Sequence, residues 1–443
     1  MSLKQLLPFA IAAAFICIPP TAKAQNERPP DWKVEILTPA PGAELRGETR
    51  VRVKIFPSEG KEPPTIVYFG IGGPSWVQME QNEQTGEWTG KMDTAMVPNG
   101  THQLKIVTNN WWARAAVKVK VQNPLKVYFA DLHSHTSHSD LSDVSGHAAG
   151  IPSSAHQYAR DVAKLDVFIL TDHLAGESEG QDVDEAEWLD AREVAWDFNE
   201  DGEFVAFAGL EWSTNWGHFN IFDPKTRHWP DDPKLFYEAI AAANIVAKFN
   251  HPLDGRPLND GLTYSEVGDK AVQMMEVRTP EEEKQFIRAL DNGWHIAPDG
   301  SSDTHSGRWG NRGRWTGILA PGLTKRCIWD AMKKRRVYST RDRNCQLRFL
   351  VNGAVMGSIV EKPVKAVKVE VVVQDADDGD AIAKIELFAD GKVVETTEPG
   401  KSSCKWKTTL SPEPGKHYYF VKITQADGNL LWSAPVWVEV SAE

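Results

Sequence analysis

Histidines and carboxylates recur between residues 131 and 305 as short words at the ends of apolar runs. The words are Asp131-Leu132-His133-Ser134-His135, Thr171-Asp172-His173, Gly209-Leu210-Glu211, Gly217-His218, Asn250-His251-Pro252 and Asp303-Thr304-His305. Eleven of the 13 histidines lie between His133 and His305. Neutral imidazole together with carboxylate is a donor set for zinc, manganese or iron. His133 and His135 are two positions apart, and on a strand that spacing sends both side chains to one face. There they can grip one ion or two neighbouring ions. Asp303 and His305 repeat the spacing with one carboxylate. A histidine beside an aspartate is, alone, usually a satisfied surface or core pair, and Asn250-His251-Pro252 alone reads as a turn. Six such words at strand ends in one region point instead to a metal site. His147, His156, His228 and His295 lack that context and read as packed or solvated side chains. His138, close behind the first word, is a candidate proton donor.

The elements that must carry these words follow from the hydrophobic pattern. Val127-Tyr128-Phe129-Ala130 leads into the first word, Val167-Phe168-Ile169-Leu170 into the second, Phe204 to Ala208 toward Glu211, and Ile245 to Phe249 toward His251. Helical spacing separates them over Tyr158 to Leu165, Glu185 to Phe198, Leu235 to Ala243 and Glu281 to Leu290. Alternation of this kind predicts an α/β barrel or an open parallel sheet. In a parallel barrel the working face is at the strand C-termini, where the words fall. On either side the pattern changes to period two, as in Val117-Lys118-Val119-Lys120-Val121 and Val367-Lys368-Val369-Glu370-Val371, with turn signals between runs. The expected division is a leader over 1–24, an immunoglobulin-like β-sandwich over 25–122, the α/β region over 123–344, and a second β-sandwich over 345–443.

Composition bounds the partners. With 443 residues, 41% hydrophobic and 25% charged, the chain has ample material for folded cores. A formal net charge of -12 argues against bulk affinity for nucleic acid. Leu6 to Ile18 is apolar, and Ala22-Lys23-Ala24 fits a small-x-small cleavage site before Gln25. A periplasmic or secreted location is expected, with no membrane span in the mature chain. Cys327, Cys345 and Cys404 remain after cleavage; one disulfide or three free thiols both fit the spacing.

The words also resemble a known family. Asp131-Leu132-His133-Ser134-His135-Thr136 with Ser139-Asp140 is similar to the first motif of the polymerase and histidinol phosphatase (PHP) superfamily, and the later words follow in that superfamily's order. Gly209-Leu210-Glu211-Trp212 through Gly217-His218-Phe219-Asn220, Val337-Tyr338-Ser339-Thr340 and Val351-Asn352-Gly353 resemble its CehA/McbA-type branch, which includes carbamate and aryl-ester hydrolases. The resemblance implies a distorted seven-stranded β/α barrel with two or three divalent ions. It assigns His133, His135, Glu211 and Asp303 to one ion, bridging Glu211 with His218 and His251 to a second, and Asp140, His173 and His305 to a third. Asp131 and Asp172 then become carboxylates that orient imidazoles. Leu141 stands where many members have Gly, and Glu276-Val277-Arg278-Thr279 departs from the Asn common in that strand.

With no Gly-rich cofactor loop evident, hydrolysis is the economical chemistry. The expected nucleophile is water deprotonated between two divalent ions, with Asp303 orienting it or accepting its proton. Three carboxylates, Asp140, Glu211 and Asp303, against two divalent ions leave about +1, and against three about +3. Such a cluster attracts an anionic substrate. Arg308, Arg312 and Arg314 follow the last word, and Arg308 and Arg314 are candidate oxyanion contacts. Trp212, Trp216, Trp309 and Trp315 either wall an aromatic pocket or pack in the core. The expectation is a phosphoester or an ester/carbamate of a small molecule, with the β modules attaching the enzyme to a cell surface. The alternative is a non-catalytic metal- or glycan-binding surface protein, which the complete set of words counts against. A proofreading nuclease is disfavoured by the acidic balance and the leader.

Overall fold

The structure is a computed structural model that describes residues 32–73, 75–109, 113–139, 150–175, 183–256, 258–377 and 379–442. The expected leader, Asp140, Leu141 and His147 lie outside the described residues. The fold is mixed α/β, with strands predominant. The chain divides into two compact units. One holds the residues up to Pro41, Arg50–Gly90 and Gln103–Val117; the other holds Gly42–Thr49, Lys91–His102 and Lys118–Glu443.

The first unit is all-β among the described residues. Strand Trp32–Thr38 runs antiparallel to Glu48–Pro57, with Trp32 opposite Pro57. Val67–Ile71 runs antiparallel to Gly100–Thr108, with Val67 opposite Thr108. Alternation buries Val51, Val53, Val67, Phe69, Leu104 and Ile106 on one side of each strand.

The second unit carries the histidine words on a 15-stranded sheet among the described residues. Val167–Leu170 lies at its centre, parallel to Lys126–Asp131 on one side and to Val205–Thr214 on the other. All four of its residues are buried, as in a strand covered on both faces. Burying one such side chain contributes about 1.5–3 kcal/mol, so a charge placed at Ile169 is expected to break the strand. Gly217–Phe222 returns antiparallel to both Val205–Thr214 and Val246–Phe249. Val272–Glu276 and Ala297–Asp299 then continue in parallel. Trp315–Ala320 closes antiparallel onto Lys126–Asp131, and Val337–Thr340 follows it. The sheet is therefore mixed rather than purely parallel.

Helix starts are specified locally. Asp184 and Glu187 form a reciprocal capping box before Glu185–Phe198. Asp232 and Thr279 cap the helices Pro233–Ala243 and Pro280–Asp291, each with proline in the first turn.

The division expected at 344/345 falls between strands of one sheet. Val337–Thr340 pairs with Leu430–Ser433, with Tyr338 opposite Ser433, and so joins the C-terminal strands Gly415–Gln425 and Ile382–Ala389. A single buried cluster contains Ala130, Val167 and Ile318 together with Leu347, Val371 and Ile423. Cys327, Cys345 and Cys404 are all free thiols. No helix of the described residues is long and apolar enough to cross a membrane.

Candidate metal centre

Parallel neighbours bring the first and last words together. Ser134 bridges Thr304, the His135 amide donates to the Thr304 carbonyl at 2.9 Å, and the Asp303 amide donates to the His133 carbonyl at 2.9 Å. Register does the same for the middle words: His173 and Asn220 both stand opposite Glu211. His251 and Asp303 hold φ of +21° and +52°, a region that non-glycine residues adopt only where surroundings enforce it. Both strained positions fall on candidate ligands.

Glu211 is the hinge of the arrangement. Its Oε2 lies 3.2 Å from His133 Nε2, 3.3 Å from His135 Nε2 and 3.0 Å from His173 Nδ1. Its Oε1 lies 3.1 Å from His218 Nδ1 and 2.9 Å from His251 Nε2. Asp303 Oδ1 lies 3.3 Å from His133 Nε2, 3.2 Å from His135 Nε2 and 3.2 Å from His305 Nε2. Three groups result: His133, His135, Glu211 and Asp303; Glu211, His218 and His251; and His135, His173 and His305.

These groups fit metal ions. Donors about 2.1 Å from one centre stand about 3.0 Å apart along an octahedral edge and about 3.4 Å apart along a tetrahedral one. The two facing nitrogens of His133 and His135 are 3.0 Å apart. Glu211 Oε2 is buried and receives no well-directed hydrogen bond although three imidazoles crowd it. Lone pairs converging this way are stabilised by a positive charge between them, which a bound cation or protons on the imidazoles would supply. Imidazole and carboxylate donors suit zinc, manganese or iron.

Electrostatics point the same way. Burial pulls the His133 imidazole toward its neutral form, but Asp303, Glu211 and Glu276 outweigh burial and raise it to about 9. His251, opposed by burial but held by Asp254 and Glu211, rises to about 11. Burial alone would push the Glu211 carboxyl up, yet His133 and His173 hold it well below the usual carboxylate range.

Eight of the nine residues expected to hold metal thus converge: His133, His135, His173, Glu211, His218, His251, Asp303 and His305. Asp140 lies outside the described residues, and His135 is the described neighbour of His173 and His305. The orienting carboxylates differ from those expected. Asp131 accepts hydrogen bonds from Ser302, Ser134 and the amides of His133 and Gly310. Asp172 accepts from Thr136 and Ser139. Both tie loops together, and neither is hydrogen-bonded to an imidazole among the described residues. Asp172 is out of phase with the adjacent His173, whereas Asp131 shares the phase of His133 but has its oxygens taken up by Ser302, Ser134 and the Gly310 amide.

Imidazoles are oriented by two residues the sequence reading did not assign. Glu276 Oε1 lies 2.6 Å from His133 Nδ1, and Asp254 Oδ2 lies 3.0 Å from His251 Nδ1. Glu276 is fully buried and is balanced by Lys248 at 2.6 Å, which also reaches Asp299 at 3.1 Å. Glu276 and Asp299 each end a strand, the same signal that marked the histidine words.

His138 lies 3.5 Å from Asp190 of the helix Glu185–Phe198, so its nearest charged partner belongs to that helix rather than to the cluster. Arg308 is exposed on its loop. Arg314 precedes Trp315, which stands opposite Thr340, so Arg314 and Arg341 meet at one sheet end. Arg341 donates through Nε and Nη2 to the carbonyl of Arg278, at 3.0 and 2.7 Å. Arg278 in turn pairs with Glu282 at 2.8 Å and Glu276 at 3.2 Å. Half-burial and the charges of Arg278 and Arg341 depress the Arg314 pKa, and no carboxylate pairs with Arg314 among the described residues. The tryptophans pack: Trp212, Trp309 and Trp315 are buried, and Trp309 Nε1 donates to the His135 carbonyl at 2.8 Å.

No protein-family model matches the chain. An uncharacterized protein of Chlamydia pneumoniae is 26% identical over 140 residues, 28% of this chain and 23% of its own length. One from Chlamydia muridarum is 21% identical over 140 residues, 28% of this chain and 22% of its own length. The chain thus spans under a quarter of the length of these curated relatives. Among solved structures, a two-domain protein of Bacteroides vulgatus containing a predicted PHP-like metal-dependent phosphoesterase is similar at 16% identity; the match covers 71% of this chain and 97% of that one, with a TM-score of 0.39. Fibronectin(III)-like modules of Clostridium thermocellum CbhA match at 16% identity over 21% of this chain and 99% of theirs, with a TM-score of 0.16. At these identities and scores, the chemistry of the centre rests on its own side chains.

Proposed function

We propose that this protein is a metal-dependent hydrolase of the PHP type that cleaves a phosphoester bond of a small anionic substrate. The observation that carries the reading is the bridging position of Glu211, whose two buried oxygens each face a separate set of imidazoles. In this reading His133, His135, Glu211 and Asp303 hold one ion and Glu211, His218 and His251 a second. His173 and His305 share a third with His135 or Asp140. Divalent ions bound there would bring the ionisation of water near neutral pH and polarise the bond under attack. The strands from Lys126–Asp131 to Val337–Thr340 are read as the distorted barrel, flanked by β modules.

The chain's own residues then divide the work. His133, His135 and Glu211 are fully buried, whereas Asp303 is 25% exposed in its side chain. Asp303 is therefore the carboxylate placed to meet water from the open side and take its proton. Arg314, which pairs with no carboxylate among the described residues, supplies a positive charge beside Arg278 and Arg341, which favours an anionic phosphoester over a neutral carbamate or aryl ester. The packing of Trp212, Trp309 and Trp315 leaves less support for an aromatic pocket. We further propose that the enzyme works after export, with the leader removed.

The test is elemental analysis of the purified protein, followed by assay with the identified metal on phosphomonoesters, phosphodiesters, aryl esters and carbamates. Chelator-sensitive cleavage of a phosphoester is expected. Activity indifferent to chelation, or confined to carbamates, would sink the reading.

A further inference from the structure

A second cluster of ligand-type atoms lies at the junction with the C-terminal strands and contains no histidine. Asp342, Cys345 and Asp375 bring their ligand atoms within 4.8 Å of one another. Gln425, the last residue of the strand Gly415–Gln425, is 1% exposed and points its amide into the same place. Its Nε2 lies 2.8 Å from Asp342 Oδ2 and 3.3 Å from Asp380 Oδ2, and it also meets Asp375 Oδ2. An amide nitrogen has two hydrogens, so three carboxylates oversubscribe it.

The carboxylates are held in place rather than free to turn away. Asp342 Oδ1 accepts from the Asn344 amide at 2.9 Å, and Asp375 Oδ1 accepts from the Asp377 amide at 2.8 Å. In both residues one oxygen is pinned by the backbone and the other aims at the centre. Among the described residues no lysine or arginine pairs with Asp342, Asp375 or Asp380.

Beside the acids, two buried amide oxygens there, Gln425 Oε1 and Asn344 Oδ1, have no hydrogen-bond partner among the described residues, and neither has Asp380 Oδ1. A buried amide oxygen without a donor is costly and rare. A half-turn of the Gln425 amide exchanges its nitrogen for that oxygen. Turned toward the carboxylates, that oxygen would complete an all-oxygen donor set that a cation between them would satisfy.

We propose that Asp342, Asp375, Asp380 and Gln425, with Asn344 beside them, bind one hard divalent cation of the calcium class. Carboxylate and amide oxygens with no imidazole are the donors such an ion takes, and they outnumber the single sulfur of Cys345. The ion would fasten the turn after Val337–Thr340 to the ends of Val367–Gln374 and Gly415–Gln425. These are the elements through which the site-bearing sheet continues into the C-terminal strands. Its role is structural, and it is separate from the hydrolytic centre.

The full-length protein is stripped with chelator, equilibrated with CaCl2, desalted and analysed for calcium, and its melting temperature is measured with and without CaCl2. One calcium per chain and a raised melting temperature are expected for the wild type and for His133→Ala. Both should be lost in the Asp342→Asn/Asp375→Asn double variant, whose isosteric side chains relieve repulsion and keep the fold, as far-UV circular dichroism checks. Replacing Gln425 with Leu should also lower calcium retention while leaving hydrolysis intact. The proposal is overturned if the wild type retains no calcium, if the double variant retains as much as the wild type, if His133→Ala loses it, or if zinc displaces calcium at equal concentration.

Discussion

His133 and His156 are both fully buried, and burial drives any imidazole toward its neutral form. His156 follows that rule. It sits in an apolar cluster with Ala155, Ala159 and Phe168, its ring edge-on to Phe168 with centroids 5.1 Å apart. Burial lowers its pKa to about 4 despite the 2.9 Å contact of Nδ1 with the Pro152 carbonyl. His133 goes the other way, to about 9, because Asp303, Glu211 and Glu276 surround it. Depth is the same and the neighbours differ. Carboxylates gathered around buried imidazoles demand a positive charge, and a divalent ion meets that demand where a proton otherwise must. An imidazole packed against phenyl rings makes no such demand and serves as core.

The largest effect expected from this contrast is on metal content. His133→Ala should lose bound metal and fall to background hydrolysis, whereas His156→Leu should keep both, as elemental analysis and steady-state assay will show. Equal loss in the two variants would erase the distinction. Next in size is a pH effect confined to the core histidine. The folded pKa of His156 is about 4, below the ordinary 6.5 that it regains on unfolding. Between those values the unfolded chain binds more protons, so stability is full above pH 6.5 and is lost as pH falls through 4. The ceiling is about 3 kcal/mol, at about 1.4 kcal/mol per pKa unit. Urea unfolding at pH 7 and pH 4.5 should therefore show a steeper acid loss for wild type than for His156→Leu. Parallel curves would mean that the ring is not buried as described.

Smaller again is the change expected at Glu276. Glu276→Gln keeps a hydrogen-bond partner for His133 Nδ1 but removes the charge that strengthens the ring as a donor. Loss of such a partner typically costs about 10–100-fold in metal affinity. Competition with a chromogenic chelator measures it, and an affinity unchanged within error would assign Glu276 to folding alone. Because Lys248 would then face only Asp299 as a carboxylate partner, a drop in thermal stability should accompany the loss.

The contrast between the two histidines was partly legible before the fold was known, because His133 follows a strand whereas His156 has no strand-end context and reads as packed or solvated; its helix, Pro152–Asp161, begins earlier than the helical run expected from Tyr158. The same strand-end expectation singled out His173, Glu211, His218, His251 and Asp303, although the strand Val205–Thr214 runs on past Glu211 and His218 stands at the start of the antiparallel strand Gly217–Phe222. It did not find Glu276, since nothing local shows that Val272-Gln273-Met274-Met275-Glu276 is covered on both faces or that Glu276 is fully buried beside His133. Lys248 was hidden for the same reason, its ammonium being balanced by residues 28 and 51 positions away. Asp131 and Asp172 misled through proximity: each stands close to a histidine in sequence, yet accepts its hydrogen bonds from hydroxyls and amides of neighbouring loops. The sheet that carries the centre into the C-terminal strands depends on Tyr338 meeting Ser433, a pairing that no local pattern encodes.

The smallest effect concerns what the positive region beyond the metals selects. Arg278 pairs with Glu282 and Glu276, but Arg314 pairs with no carboxylate among the described residues and stands near two like charges. A guanidinium kept in that setting is available to an anionic group of the substrate. Removing it in Arg314→Ala should raise KM for a phosphoester about tenfold, the value of one charge-assisted contact of about 1.4 kcal/mol. Because the contact is made equally before and during bond cleavage, kcat should hardly move. Arg314→Lys should recover only part of the loss, since an ammonium restores the charge but not the planar fork. A neutral aryl ester or carbamate, if cleaved at all, should be indifferent to both changes. If those neutral substrates suffer as much as the phosphoester, Arg314 acts by holding the sheet end formed with Arg341, and the anionic preference must come from the metal centre alone.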